Sequence, residues 1–260
     1  YNGIRRDISH KLDLPEPKNY ISGSQGLFHR EFPDGKRIKS FDLLVRSLVV
    51  EDPKNNTENT VTFDYESDGA LLMGVGTAPD GTIAGGTAFP MRFCNFNPKT
   101  GKITNTEAYH QFNALAGQED RFYFAVYPTG SLLEWYPSKS WISTKKGEKT
   151  NPEILAEAGH DIHRPHRILA HTNGKTIIMS GTPDYGYTGG GLLFWDREKK
   201  TSTLLNDSAV ITDHSTMSMV ALSGNKFLGG TTTSPGTGGE KKAKEAVLYI
   251  MDINSRLVEW

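Results

Sequence analysis

Three histidines keep one phase of a degenerate internal repeat. Imidazoles transfer protons near neutrality and ligate transition metals. The repeat is anchored by small residues and sharp turns at Tyr127-Pro128, Gly181-Thr182-Pro183 and Gly230-Thr231-Thr232. His110, His166 and His214 precede Tyr127, Thr182 and Thr231 by 17, 16 and 17 residues. Equivalent positions of consecutive repeats occupy equivalent places in a repeat architecture, so this spacing predicts that the three rings converge on one surface. Convergence of that kind suits a proton-transfer site or a metal site.

The neighbours of each histidine add further chemistry. Gly159-His160-Asp161-Ile162-His163-Arg164-Pro165-His166-Arg167 packs three imidazoles, a carboxylate and two guanidiniums into nine residues, and reads as a loop entering a strand. Tyr109-His110-Gln111-Phe112-Asn113 brings a phenol and two amides, and Asp213-His214-Ser215 a carboxylate and a hydroxyl. Asp, His and Ser adjacent in sequence do not build a hydrolase triad, and no Gly-x-Ser-x-Gly elbow is present. The turn Gly181 to Gly191 places Tyr185 and Tyr187 to face a sugar ring or donate protons. It lacks the Lys-Ser/Thr pair and the following helix of a phosphate loop.

The elements that must position these residues are short strands. An apolar or aromatic strand ending in a polar turn recurs at Arg92–Gly101, Ser131–Lys139, Gly191–Lys200 and Ala246–Arg256. Its turn residues, Asn97, Tyr136, Asp196 and Asp252, are offset by 39, 60 and 56 residues. Propeller blades run to about 40–50 residues, so the longer units carry insertions. These are expected at 138–161, with a helical turn at Pro152–Ala158, and at 234–243. The first 60 residues are less regular, with a strand near Leu43–Val50, a polar turn over Asp52–Asn59 and another strand from Val61. The expectation is an all-β chain, residues 1–260 forming a single β-propeller domain of about five blades. It is read as an excerpt of a longer chain with a larger, seven-bladed ring.

Composition narrows the function. The 29 Lys and Arg balance 30 Asp and Glu, against the basic excess of a nucleic-acid binder. No apolar run approaches the roughly 20 residues that span a bilayer as a helix. Nucleic-acid and membrane partners are therefore not expected. The one cysteine, Cys94, permits no intrachain disulfide and reads as a small buried hydrophobe.

The Gly-Thr-Pro turns, the aromatic strands ending in Asp or Asn-Pro, and the Arg-Pro-His segment resemble secreted β-propeller polysaccharide lyases such as ulvan and oligogalacturonate lyases. The resemblance covers residues 70–260 and lies in repeat style. It implies β-elimination at a uronic acid of an acidic polysaccharide or oligosaccharide, in a secreted or periplasmic protein. On that reading His166 is the base, and His110 or Tyr185 the acid. Arg164 and Arg167 hold the carboxylate, and Tyr109 and Tyr187 bind substrate. His214 completes the site or, with His166 and His110, ligates a divalent metal such as Mn, Zn or Ca. The alternatives are a non-catalytic propeller binding protein or glycan through its loops, and a quinone-dependent propeller oxidoreductase.

Overall fold

The computed structural model describes residues 20–23, 26–29, 32, 34–42, 45–64 and 70–260. The chain divides into two compact units, 1–68 and 69–260.

In the first unit β1 (Tyr20–Gly23) and β2 (Gly26–His29) form a two-stranded antiparallel sheet. A three-stranded sheet follows, β3 (Arg37–Asp42), β4 (Ser47–Asp52) and β5 (Thr57–Thr62). The expected strand ending at Val50 is β4, with Leu43 and Leu44 outside the described residues. The polar turn is only 53–56, because Thr57 to Asn59 pair with Val50 to Asp52 and begin β5 earlier than their composition suggests.

The second unit is four antiparallel sheets, each built from consecutive strands. The first is β6 (Leu71–Thr77), β7 (Ile83–Ala88), β8 (Arg92–Phe96) and β9 (Ile103–Glu107). The second is β10 (Gln111–Gln118), β11 (Arg121–Tyr127), β12 (Ser131–Trp135) and β13 (Glu153–Glu157). The third is β14 (Arg164–Ala170), β15 (Thr176–Thr182), β16 (Leu192–Asp196) and β17 (Thr201–Leu205). A one-turn helix, α1 (Asp207–Val210), is N-capped by Asn206, and leads to β18 (Ser215–Leu222), β19 (Lys226–Thr232) and β20 (Leu248–Asp252). The first strands of successive sheets lie against one another, β6 on β10, β10 on β14 and β14 on β18. The all-β expectation holds for this chain.

Burial on both faces explains why the middle strands are continuously apolar rather than alternating. Successive side chains of a strand point to opposite faces. On β11, Phe122, Phe124 and Val126 enter a core shared with Phe93 and Phe112, while Tyr123 and Ala125 enter the next one with Ile168 and Met179. On β16, Leu193 and Trp195 face that same core, whereas Leu192 and Phe194 join Met219, Phe227 and Tyr249 in a third. Each middle sheet is thus sandwiched between two others.

The segment 152–158, expected as a helical turn, instead contains strand β13. Leu132 pairs with Ala156 and Leu133 with Ile154, so pairing along the sheet edge overrides the helical preference of Glu, Leu and Ala. The last residues bond back to β20, with Ile250 N–H donating to Trp260 O and Glu259 N–H to Ile250 O. Cys94 is half-buried, and burial pushes its thiol pKa up, which keeps it an inert thiol.

Candidate functional site

Each first strand of the second unit carries a β-bulge at the same place. The ladder skips one residue between Leu72 and Gly74, Phe112 and Ala114, Pro165 and Arg167, and Thr216 and Ser218. The extra residues are Met73, Asn113, His166 and Met217. A bulge re-aims its side chain out of the pleat, and bulges concentrate beside functional sites. His166 therefore lies inside β14, not in a loop before it. Its structural equivalents are Asn113 and Met217, not His110 and His214.

The residue immediately before the first strand is His110, His163 and His214 in the last three sheets. Their hairpin partners are Gln111 with Tyr127, Arg164 with Thr182 and Ser215 with Thr232. The histidine recurrence is thus real, but it runs through His163. The near-uniform count to His166 arose because the hairpin turns differ in length, at 119–120, 171–175 and 223–225, and because Thr231 is one residue short of the equivalent partner, Thr232.

A cleft of about 230 Å3 opens beside the start of β14, lined by His163, Arg164, His166, Thr182, Pro183 and Tyr185 from the third sheet and its loop. Met217, Thr232, Ser234, Pro235 and Thr237 close it from the fourth. His166 Nε2 lies 3.3 Å from Thr182 Oγ1. Burial lowers the His166 pKa, and the Arg164 guanidinium lowers it further, so the ring is held neutral to lower pH than free imidazole.

Tyr185 OH and Tyr127 OH are 2.6 Å apart, and the Arg164 guanidinium sits 4.8 Å over the Tyr127 ring. That hydrogen bond to Tyr127 is the main cause of a raised Tyr185 pKa, which keeps its phenol protonated. His163 meets both tyrosine rings edge-on, at 5.1 and 4.9 Å. Its Nδ1 lies 3.4 Å from Asp184 Oδ1, while Nε2 is buried with no hydrogen-bond partner. His163, Asp184 and Tyr127 are the site residues that the sequence reasoning did not single out. The available signal for His163 was its place directly before a strand, shared with His110 and His214.

Two loops are zipped together over this cleft. Gly186 N–H donates to Thr237 O, Gly236 N–H to Tyr187 O, and Thr188 Oγ1 to Glu240 O at 2.6 Å. A Cβ on Gly236 would run into the backbone of Pro183 and Asp184, so only glycine permits this approach.

The remaining expected residues are dispersed. His110 and Tyr109 line a separate cavity of about 440 Å3, their rings 4.5 Å apart. His214 Nδ1 lies 2.8 Å from Thr212 O and Nε2 2.9 Å from Glu245 O, so a carbonyl oxygen faces each ring nitrogen. Arg167 is exposed and outside the cleft lining. Tyr187 is half exposed, its ring against His160 at 4.3 Å. A metal held by His110, His166 and His214 does not fit these positions. Among the described residues no three His, Cys, Asp or Glu side chains group closely enough to hold an ion.

No protein-family model and no curated protein matches the chain. Solved structures match the chain at low identity. U3-55K matches at a TM-score of 0.50 and 8% identity, over 82% of this chain and 57% of its own. The extracellular domain of a hybrid two-component system protein of B. thetaiotaomicron matches at 0.48 and 12%, over 74% of this chain and 24% of its own. A protein of unknown function from Bacteroides caccae matches at 0.47 and 12%, over 83% and 74%. The chain therefore spans about a quarter of that extracellular domain and just over half of the U3-55K chain. Among the described residues no helix is long and apolar enough to cross a membrane.

Proposed function

We propose that residues 69–260 are blades of a β-propeller and that the cleft at the start of β14 cleaves an acidic polysaccharide by β-elimination. Four sheets of consecutive strands, packed first strand against first strand, support the propeller. The observation that carries the reaction is the meeting of a guanidinium, a half-buried imidazole held neutral and a protonated phenol in one cleft.

In this reading Arg164 pairs with the uronate carboxylate and stabilises the charge that develops there as the α carbon loses its proton. His166 accepts that proton. The electron pair forms the new carbon–carbon double bond, and the glycosidic C–O bond breaks at the β carbon. Tyr185 delivers its proton to the departing oxygen, with Tyr127 holding the phenol in place. His163, oriented by Asp184 and set against both phenols, is a positioning residue. A polymeric substrate of this class lies outside the cell, so secretion belongs to the same proposal.

The unsaturated uronate product absorbs in the ultraviolet, so the test is absorbance against a broad panel of uronate polymers. The wild type is expected to generate signal, and His166→Gln to lose about 10²–10⁴-fold in kcat, the usual share of a general base. Binding of a uronate polymer without any product would replace the lyase with a glycan-binding propeller.

A further inference from the structure

The second cavity lies where β9 of the first sheet passes into β10 of the second. His110 and His163 each sit directly before a first strand, and Asn113 Nδ2 of β10 donates to Pro165 O of β14 at 3.2 Å. Tyr127, paired with Gln111 at that strand start, reaches across to Tyr185 and Arg164 of the cleft. The cleft lies between the third and fourth sheets and this cavity where the first passes into the second, both beside the starts of first strands.

The cavity is the larger of the two, about 440 Å3, and its lining differs in chemistry. Tyr109 and His110 contribute two aromatic rings. Ser143 supplies a hydroxyl and Lys145 a cation, both from the insertion between β12 and β13. Lys145 is largely exposed and loosely paired to Glu148 at 3.7 Å, so its ammonium is available to an anion. Glu107 brings a carboxylate to the wall. His110 adopts a left-handed φ of 58°, a conformation uncommon outside glycine, at the residue that presents its ring here.

We infer that this cavity is a second saccharide subsite. A sugar of the acidic polymer stacks on the Tyr109–His110 rings while Lys145 pairs with its carboxylate. The inference rests on the lyase reading for the class of its ligand and extends it. The protein grips a chain across successive sheets, so chain length determines affinity. A monomer or dimer occupies only the cleft.

The test is calorimetric binding of uronate oligomers of increasing length to wild type, Tyr109→Ala and Lys145→Glu, with ultraviolet product measured in parallel. The exposed Lys145→Glu variant preserves the test if Tyr109→Ala fails to fold. For the longest oligomers both variants are expected to weaken binding about tenfold, with dimer binding unchanged. Equal losses at every length, or none, overturn the subsite. If product forms but the variants leave length dependence intact, the subsite falls and the lyase stands. If length-dependent binding is lost in the variants although the wild type makes no product, the subsite stands and the lyase falls. No binding at any length overturns both.

Discussion

At the scale of the residue, His166 depends on its surroundings for its chemistry. An imidazole titrates near pH 6.5 when free. Burial, and secondarily Arg164, lowers that value here. The neutral form that accepts a proton then persists below pH 6.5. The acid limb of kcat/KM is expected below that value, and Arg164→Gln should move it upward, a shift read from the pH profile whatever happens to its height. The same depression affects folding. Above pH 6.5 the ring is neutral in both the folded and unfolded states and adds nothing. Below it the unfolded chain takes up the proton first, so stability declines as pH falls. Acidification from pH 7.5 to 5 should therefore lower the melting temperature of the wild type more than that of His166→Gln.

At the scale of the element, the cleft is made by a bulge and two loops rather than by a motif. The bulge in β14 lifts His166 from the ladder, and the 183–191 and 234–240 loops hold each other through backbone hydrogen bonds. Gly236 is one point of close approach, where a Cβ would meet the Asp184 carbonyl. Gly236→Ala would force backbone apart at an estimated strain of about 1–3 kcal/mol, falling on the loops and not on the core. Its expected signature is a KM raised about tenfold, equal to about 1.4 kcal/mol, with the melting temperature lowered by several degrees. A Michaelis series alongside a thermal melt separates the two effects. Sequence inspection could mark both loops by their Gly, Pro and Thr content. It could not show that they meet, because the hydrogen bonds join residues about 50 positions apart.

At the scale of the whole second unit, stability lies between sheets. Phe124 is fully buried, stacks on Phe112 at 4.5 Å and meets Phe93 edge-on at 5.4 Å. Phe124→Ala should cost about 3–5 kcal/mol, measured by denaturant unfolding, because it removes the shared side chain of two sheets and leaves a cavity. Polar links repeat the same logic. Buried Arg197, from the third sheet, donates to Gln118 Oε1 at 2.9 Å and Glu119 Oε2 at 3.0 Å in the second. His171 Nε2 lies 3.0 Å from Lys226 O, which ties the third sheet to the fourth.

Local signals in the chain were enough for strands, turns and an all-β class. Apolar runs such as Leu192–Trp195 and turns such as Asn97–Gly101 act over a few residues, where backbone sterics and burial leave few choices. The histidine periodicity was visible as well. Its correct member was not, since His163 and His166 are separated only by knowing where β14 begins and where its ladder skips a residue. Helix or strand at 153–157 was likewise settled by the partner strand at 131–134. Which rings share a cleft, and that the Glu245 carbonyl faces His214, depends on contacts between distant segments. Turn lengths shift the sequence count without moving the strands, so only tertiary packing fixes which residues meet.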